Sequence, residues 1–186
     1  MSAMTPIRTL GICGSLRTAS YTRQALMIAL AAAQRRGAET KLCSSAEVTL
    51  PLCDGRNEDL DPHVLNLRSQ VQHADALLIG SPEYCGTFSA VLKNVIEWLS
   101  PNLLMGKVIG VLAVAEGGAA HGALSALQHI CLLQGAWVLP FGVAVPFAQA
   151  TFTQPERPFA RQTMRQLDLL GTNLIEATQR LRGQGS

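Results

Sequence analysis

The sequence has few charged and aromatic residues, and it lacks the features that mark several classes of protein. Charged residues make up 15% and aromatic residues 5% of the 186 residues, and the net charge is only +2. A charge this small and scattered does not form the basic stripe of a nucleic-acid-binding surface, so no nucleic-acid partner is expected. No apolar run approaches the ~20 residues that span a bilayer, and no basic segment leads into an apolar run near Met1. We therefore expect neither membrane insertion nor a secretory signal.

Cysteine and histidine are also sparse, and their spacing is not typical of disulfide frameworks or metal sites. The five cysteines are odd in number and none stands in a C-x-x-C pair, which together with the missing signal favours the reducing cytoplasm. The four histidines are widely separated, without a pair at metal-ligand spacing, so no metal site is expected. The low fraction of charged residues is compatible with a surface that is partly covered by a second copy of the chain.

The chain does contain a regular alternation of apolar strands and helical repeats. Strands are predicted at residues 7–13, 40–43, 74–80, 108–115 and 138–145. Helices are predicted at 21–36, 62–73, 90–99 and 123–133, followed by a long amphipathic helix through Leu167, Leu170, Leu174 and Leu181. Only residues 1–5 and 183–186 are expected to be disordered ends.

This alternation predicts the fold and the place of a ligand. Strands that are apolar throughout are typical of a parallel sheet covered by helices on both faces. The prediction is one α/β domain over residues 1–186, a flavodoxin-like three-layer αβα sandwich with a five-stranded parallel sheet in the order 2-1-3-4-5. Ligands of such folds bind beyond the ends of strands 1 and 3, so we expect a site in the loops after Cys13, Gly80 and Ala115.

The loop after the first strand carries the donors that a phosphate needs. Gly14 precedes Ser15, Arg17, Ser20 and Thr22, which together offer bare N–H groups, hydroxyls and a guanidinium at a helix N-terminus. The spacing is neither G-x-G-x-x-G nor a P-loop, and a single such loop favours a monophosphate. The alternative is an ordinary strand-to-helix turn in which serine or threonine only caps the helix.

The loop after the third strand suits the rim of a planar ring. Pro82 restricts the backbone, Tyr84 offers a flat face and a hydroxyl, Gly86 permits close approach, and Thr87 is a candidate cap for the next helix. The alternative is a common strand-to-helix connection with Tyr84 packed at the surface.

Taken together, the two loops resemble those of the NAD(P)H-dependent FMN reductase family, which includes quinone, azo and chromate reductases. Residues 14–20 match its Gly-Ser-x-Arg-x-x-Ser motif, and residues 81–86 and 92–94 match Ser-Pro-Glu-Tyr-x-Gly and Leu-Lys-Asn. The resemblance, which spans residues 7–145, implies a glycine pair beside the flavin as well. The FMN-binding residues that it implies are Ser15, Arg17, Ser20 and Thr22 around the phosphate, Pro82, Glu83, Tyr84 and Cys85 along the isoalloxazine, and also Tyr21, Glu116, Gly117 and Gly118.

Five residues depart from the pattern of that family. Thr22 stands where the family usually has asparagine, and Cys85 stands where it has asparagine or a similar polar residue. Ser89-Ala90 stands for Pro-Gly, and Glu116 replaces a residue that is commonly small and polar. Thr22 retains a donor. Cys85 and Glu116 are expected to alter the reduction potential or the choice of acceptor.

The function implied by the resemblance is an FMN-containing oxidoreductase. NAD(P)H would reduce the flavin, and free flavin, a quinone, an azo or nitro compound, or a metal oxyanion would then accept the electrons in a ping-pong cycle. The cofactor carries this chemistry, so no catalytic side chain is expected, and His121 is the one histidine placed to approach the flavin.

The resemblance also implies a homodimer or homotetramer in which residues 50–56 reach a neighbour's cofactor. Two other functions stay open. One is a one-electron carrier of the flavodoxin type, although such carriers are strongly acidic. The other is a non-catalytic module for flavin or another phosphorylated ligand.

Overall fold

The computed structural model describes residues 5–47, 49–55, 61–99, 102–118 and 120–183. Within these ranges the strands are β1 (Arg8–Cys13), β2 (Glu39–Ser44), β3 (Ala76–Tyr84), β4 (Thr87–Phe88), β5 (Val108–Val114), β6 (Trp137–Val138) and β7 (Val143–Val145). The helices are α1 (Tyr21–Arg35), α2 (Pro62–His73), α3 (Ala90–Leu99), α4 (His121–Leu133), α5 (Ala148–Thr153) and α6 (Pro158–Gly183). None of these helices combines the length and apolar character that crossing a membrane requires.

The parallel sheet confirms the predicted fold and strand order. Its strands run β2-β1-β3-β5, with β6 and β7 both pairing with β5 in the fifth place. The predicted fifth strand is therefore two short strands. The ladder continues through the Leu139 N–H to the Ile109 carbonyl and then reaches Pro140, which has no N–H to donate.

The third strand also differs from its prediction. It was expected to end at Gly80, but β3 continues through Pro82 to Tyr84 and turns back into the antiparallel strand β4. Pro82 is tolerated there because it lies in the last pair of the β3–β5 ladder, opposite Val114. The short helix α5 was not predicted at all.

Side chains of the central strands point alternately to the two faces of the sheet and contribute to two hydrophobic cores. Leu77 and Ile79 face the layer made by α2, α3 and α4, whereas Ala76 and Leu78 face the layer made by α1 and α6. Because both faces are covered, every position from Ala76 to Ile79 is apolar. This burial explains why the strands read as continuous apolar runs in the sequence.

Helices α1 and α6 approach each other unusually closely. Ala29 of α1 lies opposite Gly171 of α6, and a Cβ atom added to Gly171 would be 1.9 Å from the Ala29 carbonyl oxygen. At the surface the same two helices are joined by the ion pairs Arg35–Asp168 and Arg36–Glu176. Glycine at position 171 is therefore required for the two helices to pack this closely.

Acid is expected to weaken the fold through Asp75, which lies just before β3. Burial raises the pKa of its carboxyl, but hydrogen bonds from Arg8 and Arg182 outweigh it and lower the pKa to about 2. The Arg8 N–H lies 2.8 Å and Arg182 Nη2 2.6 Å from Asp75 Oδ2. Because the pKa is lower in the folded than in the unfolded chain, this stabilisation is complete above about pH 4 and is lost as the pH falls toward 2.

The interactions of Asp75 with the two arginines are expected to contribute about 1 kcal/mol to the free energy of unfolding, because the arginines are partly exposed to solvent. Urea unfolding of the parent and of Asp75→Asn between pH 2 and pH 7 measures it. The variant should be less stable at pH 7, and most of the difference should be lost by pH 2. A difference that does not change with pH would contradict the assignment.

Candidate functional site

The carboxyl ends of β1, β3 and β5 border a cleft of about 380 Å³, a volume within the range of small-molecule sites. All predicted site residues line it except Gly118. Those residues are Ser15, Arg17, Ser20, Tyr21, Thr22, Pro82, Glu83, Tyr84, Cys85, Glu116 and Gly117. Gly86, predicted to permit close approach to a ring, lines the cleft as well. Four further lining residues were not singled out from the sequence, namely Ala19, Val114, Ala115 and Ala148.

The N-terminus of α1 forms one wall of the cleft. Ser20 caps the helix, and its Oγ accepts a hydrogen bond of 3.2 Å from the Arg23 N–H. The N–H groups of Tyr21 and Thr22 belong to the first turn, where a helix offers no acceptor of its own. Ser15 Oγ accepts from the Arg17 N–H at 3.3 Å and so shapes the preceding loop. This wall presents donors and the positive end of a helix dipole, which together favour an anion.

Gly14 has a different role from the one that the sequence suggests. A Cβ atom at this position would lie 2.5 Å from the Cβ of Leu92 in α3. The Gly14 N–H donates to the Gly80 carbonyl at 2.8 Å. The glycine therefore lets the loop after β1 pack against α3, which brings it beside the loop after β3.

Two buried serines connect these loops. Ser89 Oγ donates to the Gly14 carbonyl at 2.6 Å and accepts from the Leu92 N–H at 3.2 Å, so Ser89 caps α3. The prediction that Thr87 caps this helix is wrong, because Thr87 belongs to β4 and pairs with Tyr84. Ser81 Oγ accepts from the Ser89 N–H at 2.9 Å. The serine that departs from the family pattern at position 89 thus joins the two halves of the site.

A tight hairpin presents Tyr84 to the cleft. Cys85 and Gly86 lie between β3 and β4 with φ angles of 50° and 78°. Positive φ at both central residues matches the right-handed twist of a hairpin and usually selects Asn-Gly. Cys85 is held there at a conformational cost of about 1 kcal/mol. The thiol is exposed at the cleft, and 47% of Tyr84 is accessible to solvent.

The hairpin is held in place by the N-terminus of α4. Glu83, which was expected along a flavin ring, lines the cleft, and its Oε2 also accepts from the Ala123 N–H at 2.8 Å. Ala120, at the N-cap position, offers no side-chain hydrogen bond, so Glu83 supplies the cap. A Cβ atom at Gly122 would lie 2.1 Å from the Gly86 carbonyl oxygen. Sequence reasoning missed Gly122, whose signal was a glycine in a first helical turn without a capping residue.

The loop after β5 closes the mouth of the cleft. Glu116 Oε1 lies 2.6 Å from Arg17 Nη1 of the loop after β1. Gly117 has open space where a Cβ would be, whereas Gly118 faces the ring of Phe147. Phe147 adopts a φ of 46°, which is rare for a bulky residue, and its N–H donates to the Gly117 carbonyl at 2.8 Å.

Tyr21 lines the cleft as predicted, whereas the histidine expected near the flavin does not. The ring of Tyr21 stacks on Phe152 of α5, with 5.4 Å between ring centroids. His121 begins α4 at the surface and is not among the residues that line the cleft.

Burial raises the pKa of the Cys13 thiol beneath the first loop, which keeps the thiol protonated. Among the described residues, no group of three or more metal-ligating side chains comes together.

The segment expected to reach a neighbouring subunit is anchored to α3. The Pro51 carbonyl accepts from Trp98 Nε1 at 2.8 Å and from Asn94 Nδ2 at 2.9 Å. Leu52 is 85% exposed. Arg56, at the end of the predicted segment, lies outside the described residues.

Comparisons with known proteins identify relatives of this chain. A "NAD(P)H-dependent FMN reductase" of Pseudomonas aeruginosa is 35% identical over 60% of this chain and 61% of that protein. A "NAD(P)H:quinone oxidoreductase" of Solanum tuberosum is 32% identical over 63% of each chain. The chain therefore spans about six-tenths of the length of these curated relatives.

The same fold occurs in solved structures. A flavoenzyme NAD(P)H:(acceptor) oxidoreductase from Paracoccus denitrificans superposes with a TM-score of 0.76 at 22% identity, covering 94% of this chain and 98% of that one. The profile of the NADPH-dependent FMN reductase family matches residues 7–150, which include all three loops of the cleft. The chain therefore belongs to the NADPH-dependent FMN reductase family.

Proposed function

We propose that this protein binds FMN in the cleft and passes reducing equivalents from NAD(P)H to a small-molecule acceptor. The observation that carries the proposal is the convergence of three loops on one cleft of about 380 Å³. Two of these loops match the motifs of the family, and the third supplies the glycine beside Glu116. Membership of the family supports the same assignment.

The α1 wall suits the phosphate of FMN. Ser15, Ser20 and Thr22 are buried, with at most 4% of each residue exposed. Their hydroxyls, together with the first-turn N–H groups of α1, provide the donor set that a phosphate monoester requires. Arg17 supplies a positive charge from the same loop.

The other two loops suit the flavin ring. The absence of a side chain at Gly117, with open space around it, allows a planar ring to lie against the backbone. Tyr84 offers a half-exposed aromatic face from the opposite loop. When bound, FMN supplies the two-electron chemistry, accepting hydride from NAD(P)H and returning electrons to a second molecule. The residues of the chain bind and orient, and no side chain needs to act as acid or base.

The donor and the acceptor are proposed to use the same open side of the cleft in turn. Such sharing requires the oxidised nicotinamide to leave before the acceptor enters. Double-reciprocal plots at several acceptor concentrations should therefore be parallel. Free flavin, quinones, azo and nitro compounds and metal oxyanions are the proposed acceptor classes. Intersecting plots would exclude a cycle in which the donor and the acceptor use the same side of the cleft in turn.

The visible spectrum of the purified protein after incubation with FMN is the first test. A yellow protein that oxidises NADH or NADPH with a quinone is the expected result. A yellow protein that oxidises neither nucleotide would instead indicate a one-electron carrier. A protein that stays colourless with added FMN would indicate a module for another phosphorylated ligand.

Arg17→Ala is expected to weaken FMN binding by about tenfold, because the variant loses a charge-assisted hydrogen bond to the phosphate. The dissociation constant follows from the change in flavin fluorescence on titration. Arg165→Ala, an exposed position of α6, is the matched control and should bind FMN like the parent. An unchanged FMN dissociation constant in Arg17→Ala would count against the phosphate role.

A dimer or tetramer and a cytoplasmic location are further proposals. The exposed Leu52 in the loop anchored to α3 is a candidate contact for a second copy. Gel filtration with light scattering measures the molecular mass. A monomer at micromolar concentration would remove the idea that a neighbour contributes to the cleft.

A further inference from the structure

Arg17 and Glu116 form an ion pair between two loops of the cleft. Arg17 belongs to the loop after β1 and Glu116 to the loop after β5, and the atoms Nη1 and Oε1 are 2.6 Å apart. Both residues line the cleft, and both also line the adjoining surface hollow of about 830 Å³. The pair therefore lies where the cleft meets the hollow beside it.

The side chain that the proposed function assigns to the phosphate is thus already engaged by a carboxylate. A guanidinium has five N–H donors in a fixed fork, so binding one carboxylate oxygen does not exhaust them. A phosphate held by Arg17 would nevertheless bring a second anion close to Glu116. Like charges held this near repel each other, and the carboxylate also competes for the same positive charge.

We propose that Glu116 is a specificity-determining residue that weakens binding of the phosphorylated end of the flavin. This inference rests on the proposed function and concerns how tightly the same cleft holds FMN. Bound FMN exchanges with free flavin more readily than the donor set of the α1 wall alone would allow. Exchange of this kind suits a protein whose acceptors include free flavin.

The exposure of the pair sets the size of the effect. The side chains of Arg17 and Glu116 are 60% and 71% exposed. An exposed ion pair contributes little to stability, so it opens readily and its removal leaves the fold intact. Replacing Glu116 with glutamine should therefore lower the dissociation constant of FMN by about two- to fivefold.

Riboflavin separates an effect on the phosphate from an effect on the ring, because it has the same ring without the phosphate. FMN and riboflavin are titrated into flavin-free parent protein and flavin-free Glu116→Gln, and binding is followed by flavin fluorescence. FMN should bind more tightly to the variant, and riboflavin should bind equally to both proteins. Raising the ionic strength should shrink the difference for FMN, since salt screens exposed charges.

Glu176→Gln is the matched control, because Glu176 also forms an ion pair with an arginine, Arg36, but lies on α6. It should leave both dissociation constants unchanged. Weaker or unchanged FMN binding in Glu116→Gln would overturn the inference, since Glu116 would then orient Arg17 or not affect it. An equal gain for riboflavin would also overturn it. If neither flavin binds the parent, the proposed function fails and this inference fails with it.

Discussion

Replacing Gly122 with alanine is expected to weaken FMN binding about ten- to hundredfold while the fold is retained. The added Cβ would lie 2.1 Å from the Gly86 carbonyl oxygen and 3.4 Å from Glu83 Oε2. The first contact is with backbone, so the hairpin between β3 and β4 must move away from α4 by about 1 Å to relieve the overlap. A displacement of this size costs up to about 10²-fold in rate where reacting groups must be positioned, and we expect a loss of similar size in flavin affinity.

The direction of this effect is diagnostic. Alanine is a better helix former than glycine by about 1 kcal/mol, so helix propensity alone would favour the variant. A loss of flavin affinity therefore reports the contact with Gly86. Fluorescence titration with FMN measures the affinity, and circular dichroism checks that the fold is unchanged.

Two companion variants separate the contact from the cap. Ser125→Ala, at an exposed position of the same helix, should bind FMN like the parent. Glu83→Ala should reproduce part of the loss, because it removes the hydrogen bond to the Ala123 N–H and frees the hairpin. A Gly122→Ala protein with the FMN affinity of the parent would show that α4 does not position the hairpin.

Replacing Gly171 with alanine is expected to lower the free energy of unfolding by about 3 kcal/mol. The new Cβ would lie 1.9 Å from the Ala29 carbonyl oxygen and 3.0 Å from the Ala32 Cβ. Because the first of these is backbone within α1, the two helices must separate, and insertion of one methyl group into such a contact typically costs 1–3 kcal/mol. Separation also loosens the apolar contacts of Leu170 and Leu174 in the same core.

Urea unfolding at pH 7 measures the change for Gly171→Ala. Gln162→Ala, an exposed position of α6, is the control and should stay within about 0.5 kcal/mol of the parent. Flavin titration of the variant adds a second readout. Since α1 carries Ser20, Tyr21 and Thr22, a moved helix should also weaken FMN binding. Equal stability of the two variants would mean that the helices adjust without cost.

The strength of the prediction from sequence varied with the kind of signal. The apolar runs at 74–80 and 108–115 predicted buried parallel strands correctly, because a strand covered on both faces must be apolar at every position. The prediction of a single strand at 138–145 was wrong. The strand is interrupted at Pro140, which has no N–H to donate to the neighbouring strand, and this effect depends on pairing within the sheet. Helix α5 escaped notice since six residues are too few to show a helical period.

The site was predicted to a similar extent. The motif residues Ser15, Arg17 and Tyr84 were predicted from their chemistry in order along the chain, and they line the cleft. The roles of Gly14, Glu83 and Gly122 were not. Each of them contacts a residue distant in sequence, and such a contact leaves no periodic or compositional trace.

By itself, the sequence determined the layered α/β architecture, the strand order and the loops that border the cleft. The architecture follows from hydrophobic periodicity, which acts between residues close together in the chain, whereas the strand order and the place of the cleft follow from the rule for sheets of this fold. Only the tertiary structure decided that Glu83 caps α4, that Gly122 admits the hairpin, and that Glu116 engages Arg17. Those contacts arise when the strand ends are brought side by side, and their energies depend on distances of a few tenths of an ångström that no linear pattern encodes.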